Sequence, residues 1–268
     1  MELRSSSNEL TYLRLCAEIG VWSADDGAEV LAEHATAESL TEVSSVTGDT
    51  VLHCVCSNRR LRAAMLDILV EEAPCAGWCA TNQLGRTALH CLCANPSIFA
   101  PTRTRCRGEG SAAVEERSCF PLGSAAAAML LSSSSAAAVD CCGWTPLHAL
   151  CANMAIGTAA SALDVAGSRA SCGVRALRAL IAAHPPAALA QAEGGASALH
   201  VLCRNRAVNA ELLRAYLDAA PFSAAAVPLT RAAHAPLHWL CANEAADAAA
   251  LAVLLAEVCF YVNFTVTF

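Results

Sequence analysis

Lysine is absent from this chain, and all 17 basic residues are arginine. A phosphate-binding loop closed by its lysine is therefore excluded, and no glycine-rich loop of that kind is present. Charge is sparse at 15% of residues, against 56% hydrophobic, so the chain can bury a core and is not a disordered polyampholyte. Aromatics make up only 5%, and much of the apolar count is alanine, so that core is built by close helix packing. A basic face is missing too: the net charge is -7 and the pI near 5.6, which argues against nucleic acid as partner. The one basic run, Arg103-Thr-Arg-Cys-Arg107, is short and reads as a solvated loop. The start, Met1 to Leu10, carries no apolar signal core. The expected compartment is then the cytoplasm, with the nucleus open to it, and the 16 cysteines are expected to remain free thiols.

What the chain has is one phrase written five times: Thr50-Val-Leu-His-Cys-Val-Cys-Ser-Asn58, Thr87-Ala-Leu-His-Cys-Leu-Cys-Ala-Asn95, Thr145-Pro-Leu-His-Ala-Leu-Cys-Ala-Asn153, Ser197-Ala-Leu-His-Val-Leu-Cys-Arg-Asn205 and Ala235-Pro-Leu-His-Trp-Leu-Cys-Ala-Asn243. Recurrence on this scale marks stacked copies of one supersecondary unit. Thr50, Thr87 and Thr145 stand where an N-cap does, with Pro146 and Pro236 at the first helical position. Leu52, Val55 and Cys56 fall at i, i+3 and i+4, the buried stripe of a two-turn helix. The closing Asn reads as a left-handed C-terminal residue. Gly48, Gly85, Gly143 and Gly195, two residues before each cap, read as turn positions that require positive φ. Second helices are expected over 61–72, 125–131, 174–183 and 210–219, with Pro74, Pro185-Pro186 and Pro221 near three of their ends.

Turn, short helix, longer helix and loop in this order resemble the ankyrin repeat. Asp140-Cys-Cys-Gly-Trp-Thr-Pro-Leu-His148 carries the resemblance best, followed by Asn82-Gln-Leu-Gly-Arg-Thr-Ala-Leu-His90. It implies an all-α solenoid of stacked helix-turn-helix repeats with intervening turns and hairpin loops. Two features depart from the family's pattern. Leu-Cys-x-Asn replaces the usual pair of alanines, and the shortest spacings are 37 and 38 residues rather than about 33. The longer spacings of 58 and 52 place insertions near 96–120 and 154–172, which read as flexible excursions on one flank or as a composite docking surface. The expected organisation is a tail and degenerate capping repeat over 1–49, then five repeat starts across 50–244 (50–86, 87–144, 145–196, 197–234 and 235 onward). Residues 245–268 form a last helix, expected over 245–258, and an atypical tail. That tail, Cys259 to Phe268, alternates apolar and polar residues with a strand-like period and reads as foreign to the repeat, while the whole segment from Ala248 onward (248–268) is the alternative of a poor membrane anchor.

His53, His90, His148, His200 and His238 each have Cys three residues on, a spacing that could ligate a metal on a helix. Five copies spaced along a solenoid do not converge on one tetrahedral site, so these histidines, with Thr50, Thr87 and Thr145, are assigned to the structural frame. No cofactor, metal or catalytic constellation is expected. The resemblance implies a protein partner held on the concave side, formed by turn tips and short helices. The position just before each cap lies on those tips and varies: Asp49, Arg86, Trp144, Ala196, His234. Asp49, Arg86, Trp144 and His234 are the partner-binding candidates, with Trp144 open to the alternative of packing on a neighbouring hairpin. The function expected is a non-catalytic, monomeric interaction scaffold. Its rivals are a membrane-tethered adaptor, or a fragment of a larger ankyrin-containing membrane protein, and a Cys/His metal protein.

Overall fold

The computed structural model describes residues 42–59, 61, 75–99, 132–157, 161–163, 169–221 and 230–266. The degenerate first repeat up to residue 41, residues 62–72 of the second helix expected over 61–72, the one expected over 125–131, and the basic run at 103–107 lie outside the described residues. Each phrase begins a short helix one residue after its cap: α1 (Val51–Ser57), α2 (Ala88–Ala94), α4 (Pro146–Ala152), α6 (Ala198–Arg204) and α8 (Pro236–Cys241). Between them lie α3 (Ser133–Ala137), the antiparallel pair β1 (Ser161–Leu163) and β2 (Arg169–Ser171), and the second helices α5 (Cys172–Ala183), α7 (Ala210–Ala219) and α9 (Ala248–Val266). Short helices pack on one another in the order α1, α2, α4, α6, α8, and second helices in the order α5, α7, α9. This is an all-α repeat solenoid carrying one small hairpin.

The core follows the stripe of the phrase. Leu52, Val55 and Cys56 of α1 are fully buried, as are Leu89, Leu92 and Cys93 of α2 and Leu199, Leu202 and Cys203 of α6. Burial of this kind contributes roughly 1.5–3 kcal/mol per large aliphatic side chain. Cys56, Cys93, Cys151 and Cys203 share the buried place, whereas Cys241 of the last unit is exposed. Cys172 departs from the expectation of free thiols: it is disulfide-bonded.

Turn geometry follows from the glycines. Gly48, Gly85, Gly143 and Gly195 hold φ between 70° and 84°, the left-handed region that only glycine enters without cost. In the last repeat Ala233 takes the same place at φ 58°, a strained conformation for a residue with a Cβ. Ala233→Gly should therefore stabilise the chain by about 0.5–1 kcal/mol, read as a rise in the urea midpoint. An unchanged or lower midpoint would show that the strain is not there.

Three expectations need correction. The closing asparagines Asn58, Asn95, Asn153 and Asn205 are extended rather than left-handed, with φ/ψ of -78°/115° at Asn95 and -68°/116° at Asn153, and Asn243 is not left-handed either; their side chains do different work, described below. The insertion near 154–172 is not wholly a flexible excursion, because it contains the hairpin β1–β2 and runs into α5 two residues earlier than expected. There the side chain of Ser171 caps α5 by accepting from the Val174 amide, and a Cβ on Gly173 would collide with the Ile156 carbonyl. The strand-like tail is helical through Val266. A lone terminal strand has no ladder partner, whereas a helix bonds its own backbone, and that outweighs the period-2 pattern. Among the described residues no helix is long and apolar enough to cross a membrane.

Candidate interaction surface

Two hydrogen-bonded rows run along the stack, one at each end of the short helices. At the N-terminal end the cap hydroxyl and the histidine three residues on are locked together. Thr145 Oγ1 lies 2.9 Å from His148 Nδ1, which also accepts the Thr145 backbone N–H at 3.2 Å. With Nδ1 accepting, the proton sits on Nε2, which donates to the next repeat. His53 Nε2 reaches the Arg86 carbonyl at 2.7 Å, His90 the Trp144 carbonyl at 3.0 Å, His148 the Ala196 carbonyl at 3.3 Å and His200 the His234 carbonyl at 3.0 Å. This is a capping box with histidine in the usual place of Glu or Gln. Ala235 has no hydroxyl, yet its amide still donates to His238 Nδ1 at 3.0 Å.

Burial pushes the pKa of His90, His148 and His200 below the usual imidazole value, as a neutral, doubly bonded ring requires. The thiols between the rows are inert for the same reason. Burial pushes Cys54 up to about 11 and raises Cys56, Cys91, Cys93, Cys151 and Cys203. Among the described residues, no three His, Cys, Asp or Glu side chains gather as a metal ion needs.

At the C-terminal end runs the asparagine row. Asn153 Nδ2 donates to the carbonyls of Cys93 and Asn95 at 2.9 and 3.0 Å at the end of α2, where Asn95 O also accepts the Ile98 amide at 3.4 Å. Its Oδ1 accepts the Ala155 amide at 3.0 Å. Asn95, Asn205 and Asn243 repeat the pattern on the helix before each of them. The sequence held this signal, an Asn in all five phrases, but its partner is a neighbouring repeat and spacing alone cannot show that.

The partner-binding candidates sit where the first row ends. Four pre-cap carbonyls, those of Arg86, Trp144, Ala196 and His234, accept twice, from the preceding repeat's histidine and from their own turn. Trp144 O takes the Asp140 amide at 2.9 Å, Arg86 O the Asn82 amide at 2.9 Å, Ala196 O the Ala192 amide at 2.8 Å and His234 O the Thr230 amide at 3.1 Å. Adjacent tips are also tied, Cys141 N to Leu84 O at 2.8 Å and Glu193 N to Cys142 O at 2.9 Å. The backbone is thus fixed on both lone pairs while the side chain leaves the frame.

The side chains fare differently. Asp49 accepts from Asn82 Nδ2 at 2.8 Å. Arg86 is exposed and pairs with Asp140 at 3.2 Å. Burial opposes ionisation of Asp140, but bonds from the Trp144 and Cys142 amides and the Arg86 guanidinium outweigh it and hold its carboxyl below the usual range. Trp144 is half-buried, its ring 6.0 Å from that of His148, so it packs on its own repeat and remains partly exposed. His234 is exposed and stacks on His238 at 5.7 Å.

Between tips and short helices lie two grooves. The first, about 310 Å³, joins Arg59, Arg86 and Trp144 over a small-residue floor of Ser57, Ala94 and Ala152. The second, about 1020 Å³, is lined by Arg204, Arg206, His234, His238, Trp239 and Glu244, with Ala242 and Ala245. Reading the pre-cap position alone misses Arg59, Arg204, Arg206 and Trp239. Their signal was the two variable places inside the phrase and the residue following its Asn, which change chemistry while everything around them repeats.

Positive-φ turns, caps closed by their own histidine and stacked helix pairs make up an ankyrin-like repeat fold. Among solved structures it is similar to the human ASB11 ankyrin repeat domain, at 12% identity and a TM-score of 0.33, over 91% of this chain and 96% of that one. No protein-family description matches the chain, and no curated protein matches it.

Proposed function

We propose that the chain is a non-catalytic interaction scaffold, acting in the cytoplasm or nucleus, that holds a protein partner along the groove between its turn tips and short helices. The observation that carries this is the double pinning of the pre-cap carbonyls. A frame that uses both lone pairs to fix a backbone position, then varies its side chain from Arg86 to Trp144, Ala196 and His234, presents a row of different side chains on a fixed backbone, with Asp49 continuing the row at the first described repeat. Trp and Arg contribute most at interfaces, because each offers a large rigid contact with a directed polar edge. Trp144 and Arg86 line the same groove and are the anchors of choice.

The test is affinity purification with mass spectrometry, comparing the parent chain with Arg86→Ala and Trp144→Ala, and circular dichroism to confirm folding. Loss of at least about 2 kcal/mol of partner affinity is expected for Trp144→Ala, seen as depletion of the co-purified protein. Undiminished recovery by both folded variants would remove the row from the binding surface.

A further inference from the structure

We propose that the second groove binds an acidic protein segment, with Arg204 and Arg206 taking its carboxylates and Trp239 an apolar or aromatic side chain beside them. This rests on the interaction-scaffold reading and adds the chemistry of the partner to it.

The chain as a whole is acidic, at -7, but its grooves are not. Arg59, Arg86, Arg204 and Arg206 line them against two carboxylates, Asp140 and Glu244. Asp140 is already engaged by Arg86 and by the amides of Cys142 and Trp144 at 2.9 and 2.8 Å. Among the described residues no carboxylate pairs with Arg59, Arg204 or Arg206, although the same chain pairs Arg178 with Asp218 on its outer helices. A positive strip inside a negative molecule focuses an attractive field on an anionic segment and repels a basic one.

The local geometry narrows the choice further. Arg204 holds its guanidinium 5.6 Å from the centre of the Trp239 ring. Trp239 is itself set edge-on against the buried His200, at 5.4 Å and 74°. Stacking on an indole removes rotamer freedom from Arg204 while leaving its N–H edge available, the arrangement suited to a bidentate carboxylate. Trp239 keeps part of its surface open, and Ala242 and Ala245 leave room beside it. A space of about 1020 Å³ accommodates several residues of peptide. In the earlier repeats the place of Arg204 is held by Ser57, Ala94 and Ala152, so the charged end of the floor is confined to this groove.

The experiment is selection from a phage-displayed library of random peptides on the whole chain. An enriched sequence is then labelled with fluorescein and titrated by anisotropy. Peptides rich in Asp and Glu with an aromatic or leucine among them are expected, bound more weakly as salt is raised. The double variant Arg204→Glu/Arg206→Glu should weaken binding by at least about tenfold. Trp239→Ala should weaken it too, while Arg214→Glu on outer helix α7 leaves it within about twofold. If charge reversal prevents folding, Arg204→Gln/Arg206→Gln keeps the side-chain stems and should lose affinity in the same direction. Enrichment of neutral or basic peptides that Trp144→Ala or Trp239→Ala still displaces would overturn the acidic preference alone. Enriched peptides indifferent to every groove variant would overturn the preference and the scaffold reading together.

Discussion

Asn153→Asp should be among the most damaging single substitutions in this chain, worse than Asn153→Ala although it is nearly isosteric. Asn153 Nδ2 donates to two carbonyls of the preceding repeat, Cys93 O and Asn95 O, and the residue is 4% exposed. Alanine deletes the donor, leaving Cys93 O unpaired and Asn95 O with only the long bond from the Ile98 amide at 3.4 Å; at about 1–3 kcal/mol for a buried unsatisfied group, a loss of about 2–3 kcal/mol is expected. Aspartate retains the acceptor for the Ala155 amide but turns a lone pair or a negative charge toward both carbonyls, which costs more than absence. At Asn243, where the row ends and the residue is half-exposed, the same exchange should cost about 1 kcal/mol. Urea unfolding of the three variants orders them. An Asp variant at position 153 as stable as the parent would mean that the asparagine row does not join the repeats.

Acid should unfold the protein well above the range in which carboxylates protonate. His90, His148 and His200 have pKa values lowered by burial, so below about pH 6.5, where imidazole in the unfolded chain takes up protons, the native rings lag behind. The unfolded state then binds more protons than the native one, and stability falls as pH falls. It is fully present above the unfolded value and declines until pH passes the folded ones. Each ring contributes at most about 1.4 kcal/mol per pH unit, so three give a limiting slope of about 4 kcal/mol per unit. Asp140 acts in a lower window: its depressed pKa makes its contribution disappear only as pH falls through its folded value, beneath the ordinary carboxylate range. Urea midpoints measured between pH 8 and pH 5 should be flat and then drop steeply. A flat line to pH 5 would mean that the rings are protonated in the native state, and that Nδ1 does not accept from the caps.

Most of the architecture was legible because the physics that sets it is local. A cap, a proline at the first helical place, an i, i+3, i+4 stripe and a glycine before the turn all act within a dozen residues, and each short helix starts where its cap places it. Ala210–Ala219 was bounded correctly by the same logic. What could not be read was anything whose partner sits a repeat away. The phrase shows an asparagine but not the carbonyls 37 to 60 residues back that it serves. Nor does it show the Ile156 carbonyl that requires glycine at 173, or the hairpin that orders part of an insertion. The tail misled for a related reason: alternation predicts a strand only where a second strand exists to pair with it.

The candidate site was half legible. Variation before the cap identified Arg86, Trp144 and His234, and the structure supplied a reason for that variation, since both lone pairs of each carbonyl are engaged by the frame. It also enlarged the surface, adding Arg204, Arg206 and Trp239 from places that look interior in one dimension. A Trp held against one repeat's histidine and an Arg over its ring form a preorganised surface, so that binding there, as proposed, would cost little ordering entropy.

The division between a frame that holds the stack and borders that recognise can be measured in one series: urea unfolding of His148→Ala, Asn153→Ala, Arg86→Ala and Arg204→Ala in the whole chain. The first two remove buried groups that bridge repeats and should each lower stability by more than about 2 kcal/mol, while Arg204→Ala touches an exposed side chain and should stay within about 0.5 kcal/mol of the parent and Arg86→Ala, which also takes the guanidinium from the buried Asp140, within about 1 kcal/mol. Frame variants as stable as the parent, or Arg86→Ala and Arg204→Ala as damaging as they are, would contradict that division.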